Sequence, residues 1–304
     1  MALYKIIGNH LEYIKEKPFR LEKELQELTE NNLKTIFGLE LVKSEFVLKN
    51  FRIDTLAFDR ESNAFVIIEY KRDKNFSVID QGYAYLSLML NNKADFILEF
   101  NENLGKTLKK TDVDWSQSRV LFVSPSFTDY QREAINFKDL PIELWEVKRY
   151  ENGTVSFEQI RKADAKESIK TISKSDANID TVAREIKIYT EEEHLANATQ
   201  EIKELYEKLK SAILNLDNLE VKPTKLYIAF VSGRNVVDIL PQRKALKIWL
   251  NLAKGELDDP KGIAKDVSGI GHWGNGDYEI KIQNDDDLEY ILSLIKQSLK
   301  KNKK

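Results

Sequence analysis

The chain has 304 residues, of which 42% are hydrophobic and 32% charged, with no cysteine and a net charge of −3. That balance describes a globular protein and excludes disulfides, a thiol nucleophile, a cysteine-built zinc site and adhesion to a duplex through bulk positive charge. The length suits two domains, and neither a membrane-length apolar run nor a signal-peptide pattern is present, so a cytoplasmic protein with no membrane contact is expected.

Residues 20–37 read as a helix, because Leu21, Leu25, Leu28, Ile36 and Phe37 recur at helical spacing and Gly38 supplies a stop. Strands are expected at 41–48, 51–59 and 64–71, the last two joined through RESN as a hairpin turn. A helix is expected over 81–90, with further strands at 95–100 and 119–123. That order predicts an α/β domain built on one mixed sheet, spanning residues 1–160. Residues 161–190 are polar and poor in large apolar side chains, and read as a linker with one short helical piece. Residues 191–304 then form a smaller α+β domain. It opens on the helix TEEEHLANATQEIKELYEKLKSAILNL and continues with strands in KLYIAFV, NVVDIL, ALKIWLNL and YEIKI. It closes on the helix DDDLEYILSLIKQSL, and acidic residues lead both helices, as the macrodipole favours.

The informative stretch is RIDTLAFDRESNAFVIIEYKR, residues 52–72. Residues 64–68 are apolar at odd and even positions alike, as in a strand covered on both faces. Yet the run ends in Glu69, Tyr70 and Lys71, and alternation makes Glu69 and Lys71 project together. Asp54 lies among apolar residues of the preceding strand, and a hairpin centred near Ser62 sets residues 54 and 69 opposite one another. Two close carboxylates resist ionisation unless a cation lies between them. The three histidines, His10, His194 and His272, are too scattered for an imidazole site. Carboxylates therefore point to Mg²⁺ or Mn²⁺, which keep several waters. The ammonium of Lys71 would orient such a water or stabilise charge growing on a phosphate. The Glu-x-Lys triplet alone carries nothing, since it occurs six times, at Glu69, Glu146, Glu185, Glu201, Glu220 and Glu279.

In its setting, D-x₁₄-E-x-K on adjacent strands, after an acidic helix and before a helix opening with Gln, resembles the PD-(D/E)XK nuclease superfamily over residues 20–125. Ile53 departs from it by standing where the family name has Pro. The resemblance implies a restriction-endonuclease-like mixed sheet flanked by helices and a metal-dependent nuclease, with DNA the expected substrate and a homodimer one expected assembly. It implies that Asp54 and Glu69 bind the metal and that Lys71 is catalytic. Gln81 matches the helical glutamine beside the lysine, and Glu22 the further acid on the first helix. The alternative is a nucleic-acid-binding or scaffolding protein that keeps the fold without cutting. Glu45 reads as another ligand or as a strand-edge charge, and Tyr83 and Tyr85 as base-stacking rings or as packing. The basic stretches KRDK (71–74) and GKTLKK (105–110) are nucleic-acid contacts or plain surface.

In the second domain GIGHWGNGDYEIKI, residues 269–282, lacks the Lys-Ser/Thr ending of a phosphate loop. It reads as a glycine-rich turn with Trp273 pinned on the sheet; the alternative is that His272 and Trp273 line a pocket. Residues 190–300 resemble a widespread domain of unknown function sometimes labelled a predicted transport protein, a label that no span or carrier site in the sequence supports.

Overall fold

A computed structural model of the chain describes residues 2–72, 77–137, 139–161, 168, 177–272 and 274–303. It divides into two units, residues 1–187 and 188–304.

The first unit begins with a hairpin, β1 (Leu3–Ile7) and β2 (His10–Ile14), followed by α1 (Glu22–Glu30) and α2 (Leu33–Phe37). The strands β3 (Glu40–Leu48), β4 (Phe51–Asp59) and β5 (Ala64–Tyr70) then run as an antiparallel meander. Helices α3 (Val78–Asn91) and α4 (Lys93–Leu104) carry the chain across to β6 (Arg119–Ser124), parallel to β5. Helix α5 (Asp129–Ala134) leads to β7 (Ile142–Arg149), parallel to β6, and β8 (Val155–Gln159) returns antiparallel; α6 (Ala177–Glu185) follows. The result is a six-stranded mixed sheet in the order β3-β4-β5-β6-β7-β8.

Alternation along the strands feeds two core layers. Phe58, Phe65, Ile67, Val120 and Phe122 meet Leu86, Met89, Phe96 and Phe100 of α3 and α4 and Val182 and Ile186 at α6. On the opposite face Ala57, Val66, Ile68, Leu121 and Val123 meet Leu25 and Leu33 of α1 and α2. Every residue of β5 is buried, as its unbroken apolar run predicts. Gly82 lets α3 approach the sheet: a Cβ there would lie 2.5 Å from Ile142 Cδ1.

Three expectations for the first unit are corrected. Residues 95–100 belong to helix α4, not to a strand; Phe96 and Phe100, four apart, are its buried residues, and a short apolar run does not discriminate the two periods. The helix expected over 20–37 breaks at Asn31 and Asn32, where the Asn32 side-chain amide donates to Leu28 O, and Gly38 ends the second piece at φ 74°. The stretch 161–190 is more than a linker. Its helix α6 places Val182 and Ile186 in the first unit's core; residues 162–167 and 169–176 lie outside the described residues. So do Asp73 and Lys74 of KRDK, and Trp273. In GKTLKK, Lys106 pairs with Glu40 at 2.8 Å and Lys109 and Lys110 are exposed.

The second unit holds α7 (Glu191–Leu195) and α8 (Gln200–Leu214), two helices where the sequence reads as one, then β9 (Glu220–Pro223), β10 (Ile228–Ser232), β11 (Arg234–Gln242) and β12 (Ala245–Leu250). β13 (Lys265–Asp266), β14 (Tyr278–Ile282) and α9 (Leu288–Asn302) complete it. Its antiparallel sheet has the order β13-β14-β12-β11-β10-β9. Tyr206, Leu209 and Ile213 of α8 and Ile291, Ile295 and Leu299 of α9 pack against Phe230, Ile239, Ile248 and Ile280. The glycine-rich turn lies against this sheet. The Asn275 N–H donates to the buried Asp238 carboxylate at 2.8 Å, and its side-chain amide reaches Tyr227 Oη at 2.9 Å. His272 turns its Nδ1 to Ile270 O of its own loop, at 3.0 Å.

A Cβ on Gly276 would lie 1.5 Å from Leu250 O, which is backbone and does not rotate away, whereas a Cβ on Gly269 meets nothing within 4 Å. Gly276→Ala is therefore expected to cost about 3 kcal/mol or more and to lower the melting temperature of the full chain. Gly269→Ala melts like wild type. Calorimetry of the two variants checks the contrast.

Candidate active site

The hairpin register is set by its turn. Asn63 adopts φ 50°, which asparagine tolerates, and Asp59 Oδ1 accepts the N–H groups of Glu61 and Ser62 at 2.9 and 3.3 Å. Pairing runs from Asp59↔Ala64 to Thr55↔Ile68, and one further step brings residues 54 and 69 abreast. On its other side β4 pairs Thr55 with Ser44 and Ile53 with Phe46, passing over Asp54 and Glu45. Glu45 there has φ 53°, and Ile53 and Leu56 both enter the layer under α3, so alternation breaks at Asp54. The irregularity is held from α1. The buried Gln26 amide donates to Asp54 O at 3.0 Å, to Glu30 Oε1 at 3.0 Å and more weakly to Ser44 Oγ at 3.3 Å. Thr55 Oγ1 donates to the same Glu30 oxygen at 2.5 Å and lies 3.2 Å from Tyr70 Oη.

Across the sheet the charged groups gather. Lys71 Nζ and Gln81 Nε2 both donate to Glu69 Oε1, at 2.7 and 2.8 Å. Gln81 also donates to Tyr85 Oη at 3.1 Å, and Tyr85 spends its one hydrogen on Arg52 O at 3.2 Å. Asp54 Oδ2 accepts the Tyr70 N–H at 3.1 Å. Glu69 is 4% exposed, and its second oxygen, Oε2, is buried with no hydrogen-bond partner among the described residues. Burial and the charge of Glu69 raise the Asp54 carboxyl to about 6, against the pull of the Tyr70 N–H and Lys71. Glu45 adds to the rise while engaged by Arg52 at 3.1 Å and Lys23 at 3.6 Å.

The structure thus brings together Asp54, Glu69, Lys71 and Gln81. Glu22 is exposed, and its carboxylate accepts the Arg72 N–H at 3.0 Å, fixing the backbone just past Lys71. The α1 acid linked to the site is Glu30, through Thr55 and Tyr70. Tyr83 and Tyr85 are 2 and 5% exposed, so they pack against the sheet and offer no ring to a base. Gln26, Glu30 and the holding role of Tyr85 are absent from the sequence reading. Gln26 is buried with Leu25 and Thr29 on α1, a burial that only the docking of the helix reveals.

The donor set fits a divalent cation. A buried carboxylate oxygen without a donor costs free energy, and it stands next to a second carboxylate that the same charge keeps hard to ionise. A cation between the two relieves both. Among the described residues no three His, Asp or Glu side chains form a cage, so the protein offers two carboxylates, as suits an ion that retains waters.

The Asp54 carboxyl fixes a pH dependence. With a folded value of about 6 against an ordinary 3.8, the folded state holds the extra proton between those limits. Stability in the absence of metal accordingly falls as pH rises from about 4 to about 6, by at most about 3 kcal/mol, and is level above. Asp54→Asn is expected to melt higher than wild type at pH 7.5 and equally at pH 4, measured by thermal denaturation in chelator.

Over nearly its whole length the chain is similar to a protein of Haemophilus influenzae (strain ATCC 51907 / DSM 11121 / KW20 / Rd) described as "Uncharacterized protein". The two are 54% identical over 301 residues, 99% of this chain and 100% of that one. A family described as "Domain of unknown function (DUF5655)" matches residues 191–302. Among solved structures, a repair endonuclease from Pyrococcus abyssi is 20% identical with a TM-score of 0.25, the match covering 43% of this chain and 50% of that chain. EndoMS in complex with double-stranded DNA is 15% identical with a TM-score of 0.25, covering 48% and 64%. SfsA of Pyrococcus furiosus in complex with Ca²⁺ is 13% identical with a TM-score of 0.25, covering 50% and 77%. At such scores these structural likenesses do not bear on the chemistry of the site. The identity across both full lengths is decisive for kinship: this chain belongs to the same family as the Haemophilus influenzae protein.

Proposed function

We propose that the first unit is a metal-dependent nuclease of the PD-(D/E)XK kind, hydrolysing phosphodiester bonds of DNA. The observation that carries the reading is the buried Oε2 of Glu69, without a hydrogen-bond partner among the described residues, beside an Asp54 whose carboxyl is raised to about 6. Asp54 and Glu69 would hold Mg²⁺ or Mn²⁺. Such an ion polarises a phosphate and makes its bound water acidic.

The chain's own groups supply the rest. Asp54, its carboxyl raised to about 6, would release its proton to solvent on holding such an ion. Gln81, fixed by Tyr85, holds Glu69 Oε1 and so leaves Oε2 as the oxygen for the ion. Lys71 shares Oε1 and keeps part of its side chain exposed, at 21%, where its ammonium orients the attacking water and meets charge developing on the phosphate. Lys23 and Arg52, both on Glu45, add exposed positive charge next to the acids, suited to a nucleic-acid backbone.

The non-cleaving reading draws support from the same Lys71–Glu69 contact, since an ammonium at 2.7 Å already neutralises the carboxylate. Cleavage assays separate the two. Glu69→Gln and Lys71→Ala are each expected to lower Mg²⁺-dependent cleavage about 10³-fold or more while the circular dichroism spectrum is retained. Mn²⁺ is expected to raise the melting temperature of wild type and not of Asp54→Asn. Equal cleavage by wild type and both variants, on single- and double-stranded DNA and on RNA, sinks the nuclease. An Mn²⁺-dependent shift with no cleavage by wild type selects the binding protein.

A further inference from the structure

Asp54 has an acid on either side of it. Glu69 lies abreast on β5, and on β3 the ladder passes from Ser44↔Thr55 to Phe46↔Ile53, which leaves Glu45 as the residue skipped together with Asp54. Its charge helps to raise the Asp54 carboxyl. Yet among the described residues no three acids form a cage, so Glu45 does not complete one. Its backbone sits at φ 53°, a left-handed conformation uncommon for a glutamate. Such a conformation costs free energy and points to a role beyond packing, and the side chain is 34% exposed. What the carboxylate holds is two cations. Arg52 Nε lies 3.1 Å from Oε2 and Lys23 Nζ 3.6 Å from Oε1, and both cationic side chains face solvent, at 68 and 51%.

We propose that Glu45 stands in for a phosphate: in the free chain its carboxylate fills the place between Arg52 and Lys23 that a backbone phosphodiester of DNA takes on binding. A carboxylate and a phosphodiester each present two oxygens sharing one negative charge, and a guanidinium fits either. Exposed ion pairs contribute little to stability, so the fold does not oppose the exchange. One negative charge leaves the two cations as another arrives, and the release of counterions from the duplex drives the replacement. The phosphate held there flanks the one that Asp54 and Glu69 would engage. Glu45 thereby sets a threshold, because DNA must displace an internal anion before it settles over the acids. The site is taken from the ion pairs of Glu45; the ligand rests on the reading of the first unit as a nuclease acting on DNA.

Binding of a fluorescein-labelled DNA duplex to the full chain, followed by anisotropy in chelator from about 50 to about 300 mM KCl, tests it. Glu45→Gln is expected to bind about 10-fold tighter than wild type. The double variant Lys23→Gln, Arg52→Gln is expected to bind about 10-fold more weakly, with the slope of log Kd against log salt reduced by about 1, the value for one phosphate. Adding Glu45→Gln to that double variant should change its affinity by no more than about twofold, since no cation is left to release. All variants should keep the wild-type circular dichroism spectrum. A gain from Glu45→Gln that is equal in both backgrounds makes Glu45 a general repelling charge and overturns the proposal. So does a Glu45→Gln chain that binds no tighter than wild type, and so does a wild type that binds no duplex. Because the readout needs no metal, the expected pattern without cleavage keeps the proposal and sinks the nuclease, whereas cleavage with all variants binding alike sinks the proposal alone.

Discussion

A carboxylate confined at the end of a strand covered on both faces governs the first unit. Glu69 cannot reach bulk water, so each of its oxygens must find a partner or stay costly. Lys71 and Gln81 answer for one oxygen; the other has no hydrogen-bond partner among the described residues. Other features gather around it. Asp54 is pushed toward its protonated form, α3 is drawn in to present an amide, and the backbone after Lys71 is pinned from α1. Fold and chemistry meet here because the burial that completes the core also concentrates the negative charge.

The two sides of the sheet have different duties at this point. Under α3, ionisable groups assemble for chemistry. Under α1, Gln26, Glu30, Thr55 and Tyr70 form a lattice of hydrogen bonds that holds β4 out of regular alternation. An irregular strand segment is stable only where something outside the ladder takes up its turned carbonyl, and Gln26 does that for Asp54. The acids are thus held by a polar network on the opposite face, reached through the backbone.

Much of this was legible in the residues. The facing of Asp54 and Glu69 followed from the RESN turn, centred near Ser62, and from the hairpin register it sets, both local. The shared projection of Glu69 and Lys71 needed no more than the pleat. What escaped was non-local. Gln26 lies 28 residues from Asp54 along the chain, and nothing in its neighbourhood announces a strand carbonyl above it. Glu22 and Glu30 stand on the same acidic helix, and which acid reaches the sheet depends on how α1 docks. Residues 95–100 misled for another reason, since an apolar run of that length suits either period until its neighbours decide which faces are covered. The weakly apolar 177–187 region looked like a tether, yet two side chains, Val182 and Ile186, suffice to seat its helix.

The contact between Gly82 and Ile142 carries a consequence for how such a family diversifies. The amide at position 81 keeps its distance to Glu69 only while α3 lies low on β7, and that height is set by what the two facing positions contain. Enlarging the first without trimming the second lifts the helix and loosens Gln81 with no change among the ionisable side chains. Substitutions at 82 and 142 should therefore travel as compensating pairs, so that two inert residues on separate elements share one inherited constraint with the reactive ones.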